Sequence, residues 1–119
     1  ARSVWMPLFP GYVFLLGTEM DRYQAMTTGC VSRCLEVPDE GELVHDLRQI
    51  WRLIQSGLPL TPEARLEAGD RVRIRSGPLV GLEGVVIRRR GQDRLLVAVQ
   101  FLQKGASIEI ADFQVERID

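Results

Sequence analysis

The chain has 119 residues, of which 45% are hydrophobic and 26% are charged, and its formal net charge at pH 7 is −1. These values are ordinary for a folded globular protein, and they exclude a fibre and a polar disordered tail. The weak net charge excludes a polycation that would bind nucleic acid tightly through many phosphate contacts. A chain of this length has room for one ordinary domain or two small ones.

Cysteine content and hydropathy exclude further classes of protein. Cys30 and Cys34 are the only cysteines, which is too few for a disulfide framework and supplies only half of the ligands of a structural zinc site. The longest apolar run, residues 12–16, is far shorter than the roughly 20 residues that a membrane helix needs. We therefore predict a cytoplasmic protein that holds no metal and no cofactor and does not enter a membrane.

The beginning of the chain predicts two short strands and a helix between them. Tyr12–Leu16 is rich in aromatic and β-branched side chains, which favours a strand. Glu19–Thr28 predicts a weak helix that ends at Gly29, a position where a left-handed residue is common. Cys30–Val37 predicts a second short strand.

The clearest predicted helix spans Glu40–Ser56. Asp39 is a suitable N-cap for it, and Gly57 is a suitable stop. Apolar and polar residues separate at helical spacing, so the helix is predicted to have a buried face and a solvent face. The predicted buried face consists of Leu43, Val44, Leu47, Ile50, Trp51 and Ile54. The predicted solvent face consists of Asp46, Arg48, Gln49, Arg52 and Gln55.

The remaining sequence predicts a linker and a small β-barrel. Pro59 and Pro62 exclude a helix and a central strand, so residues 58–66 are predicted to be a linker. From residue 67 onward, turn residues separate short strands with no helix between them, which is typical of an antiparallel barrel. The predicted strands are residues 71–75, 85–87, 95–102, 107–110 and 115–118. The predicted domains are residues 1–57 and 67–119.

No constellation of residues indicates an enzyme. His45, the only histidine, has no nucleophile beside it in the sequence, and no P-loop, G-x-G-x-x-G or G-x-S-x-G motif occurs. We therefore predict a non-enzymatic protein. One enzymatic hypothesis uses Cys30 with His45, and it requires the two side chains to lie within hydrogen-bonding reach.

Two segments resemble known protein families. The run Gly69–Val86 has a Gly-Asp pair before a strand, a Gly-Pro turn and a Gly before the next strand, and it resembles the KOW motif. The segment Pro7-Leu8-Phe9-Pro10-Gly11-Tyr12-Val13-Phe14-Leu15 resembles a motif of the NGN domain of NusG-type transcription factors. Because both motifs occur in the family's order, the chain resembles a NusG-type transcription elongation or antitermination factor.

This resemblance implies a fold and a first partner. The fold is an α+β part, an incomplete NGN domain with an antiparallel sheet and helices, followed by an all-β, five-stranded, Src-homology-3-like KOW barrel. The NGN domain would bind the clamp helices of RNA polymerase through a hydrophobic patch and thereby modulate pausing or termination. The residues that match this patch and its adjoining motif are Phe9, Pro10, Tyr12 and Phe14. The competing interpretation places these side chains in the core.

The resemblance also implies a second partner for the barrel, either the small-subunit ribosomal protein NusE or the termination factor Rho. The matching residues are Phe101, Leu102 and Lys104, and an alternative role for Phe101 is to close the barrel. A different class of protein, a KOW-containing ribosomal RNA-binding protein, is the alternative function. Its RNA affinity would depend strongly on salt.

A cluster of basic residues around one turn has two interpretations. It consists of Arg88, Arg89, Arg90 and Arg94. These side chains either contact nucleic-acid phosphates or form a solvated turn. Because Asp93 reduces the local charge, we favour the solvated turn and expect weak or no direct binding to nucleic acid.

The sequence departs from the family pattern at its start. The family's NGN domain begins with a strand, a helix and a second strand, all of which would precede residue 1, so we expect this chain to be the later part of such a domain. Strand Tyr12–Leu16 would then lack neighbours and expose apolar surface, and self-association is expected.

Overall fold

The computed structural model describes residues 8, 9, 12, 19–29, 35–110 and 113–118. The chain divides into two compact units, Ala1–Pro38 and Asp39–Asp119. The second unit contains one α-helix and a six-stranded antiparallel sheet. The predicted combination of helices with a β-rich part is therefore confirmed.

In the first unit, helix α1 spans Glu19–Thr27. It is followed by Gly29, whose φ of +76° is in the left-handed region, as the sequence predicted. Tyr12 and Leu35–Val37 are not in strands. The other residues of the two strands predicted at 12–16 and 30–37 lie outside the described residues.

In the second unit, helix α2 precedes the sheet and a short 3₁₀ helix interrupts it. Helix α2 spans Glu40–Gln55, and the 3₁₀ helix spans Gln100–Leu102. The strands are β1 Thr61–Glu63, β2 Arg71–Ile74, β3 Glu83–Arg89, β4 Gln92–Val99, β5 Lys104–Glu109 and β6 Val115–Arg117. Their order in the sheet is β1-β5-β4-β3-β2-β6, and all neighbours are antiparallel. Each of the five strands predicted from the sequence thus has a counterpart whose ends lie within three residues of the predicted ends.

Strand β1 lies within the segment predicted to be a linker. Among the described residues it pairs only with β5, so it is an edge strand, and Pro62 is tolerated there because one side of an edge strand needs no N–H donors. The prolines were predicted to exclude a central strand, which agrees with this position. The two prolines led to the prediction of a linker. An edge strand tolerates proline, so the prolines do not exclude β1.

The sheet is strongly curled. Glu63 on β1 and Arg89 on β3 form an ion pair, with 3.4 Å between Glu63 Oε1 and Arg89 Nε. Two strands, β5 and β4, lie between β1 and β3 in the sheet. In a flat sheet, three strand spacings would separate the two backbones by about 14 Å. The curl encloses an aliphatic core that includes Val72, Ile74, Leu82, Ile87, Leu95, Leu96, Val97, Val99, Ala106 and Ile108.

Helix α2 begins and ends where its capping residues predict. The side chain of Asp39 accepts a hydrogen bond from the backbone N–H of Glu42 at 3.0 Å, which satisfies one of the free donors of the first turn. Gly57, with φ of +74°, follows the last turn. The predicted N-cap and stop are both confirmed.

The buried face of α2 differs from the prediction. Leu53, which the prediction left out, is fully buried, whereas Trp51 is 60% exposed. Helix α2 contacts β4 and the 3₁₀ helix, so it belongs to the same unit as the sheet. The predicted domain border at residue 57 places this helix with the first domain instead.

Three polar side chains of α2 bind backbone groups of the β-rich part of the unit, although they were predicted to face solvent. Asp46 Oδ2 accepts a hydrogen bond from the backbone N–H of Gln100 at 3.0 Å. Gln49 Oε1 accepts one from the N–H of Glu83 at 2.9 Å, and Arg52 Nη2 donates one to the carbonyl of Val80 at 2.8 Å. These side chains pair with backbone groups that are distant in the sequence, and the helix pattern gives no sign of such partners.

We expect Asp46→Ala to lower the free energy of unfolding by about 1–2 kcal/mol, because the part-buried N–H of Gln100 loses its acceptor. Asp46→Asn should retain most of the stability, since an amide oxygen also accepts this bond. Urea denaturation of both variants, with exposed His45→Ala as control, measures the difference. Equal losses for Asp46→Ala and His45→Ala would show that the bond contributes nothing.

Candidate functional site

The residues predicted to bind polymerase lie in the first unit, and two of the four are described. The backbone N–H of Tyr12 donates to the carbonyl of Phe9 at 3.3 Å, and this spacing of three residues is that of a β-turn. Tyr12 is 40% exposed and Phe9 is half-buried. Pro10 and Phe14 lie outside the described residues. The exposed Tyr12 ring offers both apolar area and a hydroxyl group, which suits a protein interface.

The residues predicted to bind a second partner lie around the 3₁₀ helix. Leu102 is only 7% exposed, and Phe101 and Lys104 are half-buried. Helix α2 contacts this segment, and Asp46 accepts a hydrogen bond from the backbone N–H of its first residue, Gln100. Leu102 is thus packed in the second unit, and the role of Phe101, Leu102 and Lys104 in binding a partner stays a prediction.

The four arginines cluster around the β3–β4 hairpin, as predicted. Arg90 and Gly91 form its two-residue turn, with φ values of +52° and +78°, which is the conformation of a type I′ turn. Within the described residues, Arg90 is the one member of the cluster with no ion pair to a carboxylate.

The other three arginines are held by partners within the second unit. Arg88 lies 3.7 Å from Asp93, and Arg89 pairs with Glu63 and Glu67. The hydrogen bond from Arg89 lowers the pKa of Glu67, because it stabilises the charged carboxylate. These contacts leave little free positive charge at the hairpin, which agrees with the solvated turn rather than with a phosphate-binding site.

Arg94 is the most constrained of the cluster. Its guanidinium donates to Ser107 Oγ at 2.9 Å, to the Ser107 carbonyl at 2.9 Å and to Thr61 Oγ1 at 3.0 Å. Its side chain is therefore a link between β4, β5 and the edge strand β1. We assign Arg94 a structural role in the curled sheet.

A cavity of about 470 Å³ lies beside this cluster. Its lining residues are Thr61, Glu63, Arg89, Arg90, Gln92, Arg94 and Glu109. Glu63 is 7% exposed. Its Oε1 atom forms an ion pair with Arg89 but accepts no hydrogen bond from the described residues. Both basic and acidic groups line the cavity, and the pairs Arg89–Glu63 and Arg94–Glu109 make it an ion-pair network rather than a site for a single charged ligand.

The structural roles of Glu63, Asp46 and Gln49 were not predicted from the sequence. Glu63 was assigned to a linker, and Asp46 and Gln49 were assigned to a solvent face. The sequence around Glu63 does not indicate that its carboxylate is buried, because its ion-pair partner, Arg89, is distant in the sequence.

The structure leaves the enzymatic hypothesis untested. His45 is exposed, and Cys30 lies outside the described residues. Across residues 19–29, 35–110 and the other described positions, no three His, Cys, Asp or Glu side chains are placed to hold a metal ion. The helices of that part of the chain are too short or too polar to cross a membrane. No protein-family model, no curated protein and no solved structure matches the chain.

Proposed function

We propose that this chain is part of a NusG-type transcription elongation or antitermination factor. Its first part would bind the clamp helices of RNA polymerase through Phe9, Pro10, Tyr12 and Phe14, and its β-rich part would be a KOW domain that recruits a second partner. The observation that carries the proposal is the aromatic segment at residues 7–15, followed in the family's order by the glycine-rich run at 69–86.

The position of Tyr12 supports this proposal. A docking residue must be accessible, and Tyr12 is among the exposed large side chains. Aromatic side chains contribute large apolar area with few rotatable bonds, which is why they dominate the energetics of protein interfaces. The hydrogen bond between Tyr12 and Phe9 places two aromatic residues of the segment close together.

The shape of the sheet supports assignment of the KOW domain. A strongly curled, all-antiparallel sheet is compatible with a small barrel. Gly84 is the last glycine of the glycine-rich run and lies in β3, and a Cβ atom there would lie 2.5 Å from the carbonyl oxygen of Leu96. This close approach gives a physical reason for glycine at that position of the motif.

By bridging the polymerase clamp, such a factor would stabilise the closed, elongating enzyme relative to the open, paused one. A ligand shifts this equilibrium only by its difference in affinity for the two states. The proposed role therefore requires contacts that exist mainly when the clamp is closed. No catalytic residue and no cofactor is needed for this mechanism.

The test is a comparison of polymerase binding by the chain and by a double variant, Tyr12→Ala with Phe14→Ala. We expect the double variant to bind bacterial core RNA polymerase at least tenfold more weakly, since aromatic hot spots contribute about 2 kcal/mol or more. The matched control is Tyr23→Ala, an exposed tyrosine on α1 of the same unit. Equal binding by all three proteins would refute the assignment of the site.

The alternative function, a ribosomal RNA-binding protein, is distinguished by the salt dependence of RNA binding. Such a protein would lose affinity steeply as salt displaces its phosphate contacts. The ion pairs that occupy Arg88, Arg89 and Arg94 disfavour this alternative. A filter-binding titration across salt concentrations measures the dependence directly.

A further inference from the structure

We draw no further inference here: the strongest candidate, the cavity between the edge strand β1 and the β3–β4 hairpin, belongs to the site already described, because its buried Glu63 pairs with Arg89 and its Arg94 is held by Ser107 and Thr61.

Discussion

Leu53→Ala is expected to lower the free energy of unfolding by about 2–5 kcal/mol, the usual cost of truncating a buried leucine. Leu53 is fully buried between α2 and the sheet. Truncation removes apolar contacts and leaves a cavity at the contact that holds the helix in place. The loss is measured by urea denaturation at low protein concentration, where self-association does not contribute.

The matched control for this variant is Trp51→Ala, two residues away on the same helix. Trp51 is larger, but it is exposed, so its removal should change the free energy of unfolding by no more than about 0.5 kcal/mol. A larger loss for Trp51→Ala than for Leu53→Ala would mean that α2 packs through the face predicted from the sequence. That outcome would contradict the packing of the second unit described above.

Gly84→Ala is expected to cost about 3 kcal/mol, at the upper end of the usual cost of overpacking. A Cβ atom at Gly84 would lie 2.5 Å from the carbonyl oxygen of Leu96 and 2.9 Å from Leu95 Cδ1. The carbonyl oxygen is backbone in the neighbouring strand, where Leu96 pairs with Val85, so it cannot move without disturbing the β3–β4 ladder. Thermal and urea denaturation measure the loss.

Gly41→Ala is the control for this substitution. Gly41 lies in the first turn of α2, and the nearest atom to an added Cβ is Asp39 Oδ1 at 3.5 Å, an ordinary contact. Alanine also favours the helix, so the stability should be unchanged or slightly raised. If Gly84→Ala were as stable as Gly41→Ala, the close approach that explains the motif glycine would be absent.

The elements of the second unit were predictable where neighbouring residues in the sequence determine them. The N-cap at Asp39 and the left-handed Gly57 are set by residues within one turn of the helix, so the sequence defines its start and end. The β3–β4 hairpin has a turn glycine, Gly91, between two strand-forming runs. Such features depend on neighbours in the chain, which a sequence displays directly.

The features that were missed depend on partners distant in the sequence. Part of the predicted solvent face of α2 packs against the β-rich part, because Asp46 and Gln49 accept hydrogen bonds from Gln100 and Glu83, which are 54 and 34 residues away. Periodicity alone separates polar from apolar residues, and it assigns a polar residue to solvent even when it binds buried backbone. Strand β1 was missed for the same reason, since its identity depends on pairing with β5.

The candidate sites were predictable to different extents. The arginine cluster was located correctly, but its ion pairs were visible only in the structure, because Glu63 and Glu67 lie more than twenty residues before Arg89. The burial of Leu102 also depends on the packing of α2 near the 3₁₀ helix. The role of Tyr12 stays a prediction, supported by its exposure.

Binding of the chain to RNA polymerase is the most direct test of the proposed function. The measurement is the equilibrium affinity of the fluorescently labelled chain for bacterial core polymerase, compared with its affinity for the same enzyme lacking the tip of the clamp helices. We predict saturable binding to the intact enzyme and at least a tenfold loss of affinity for the truncated one. Equal affinity for the two enzymes, or no binding to either, would contradict the proposal.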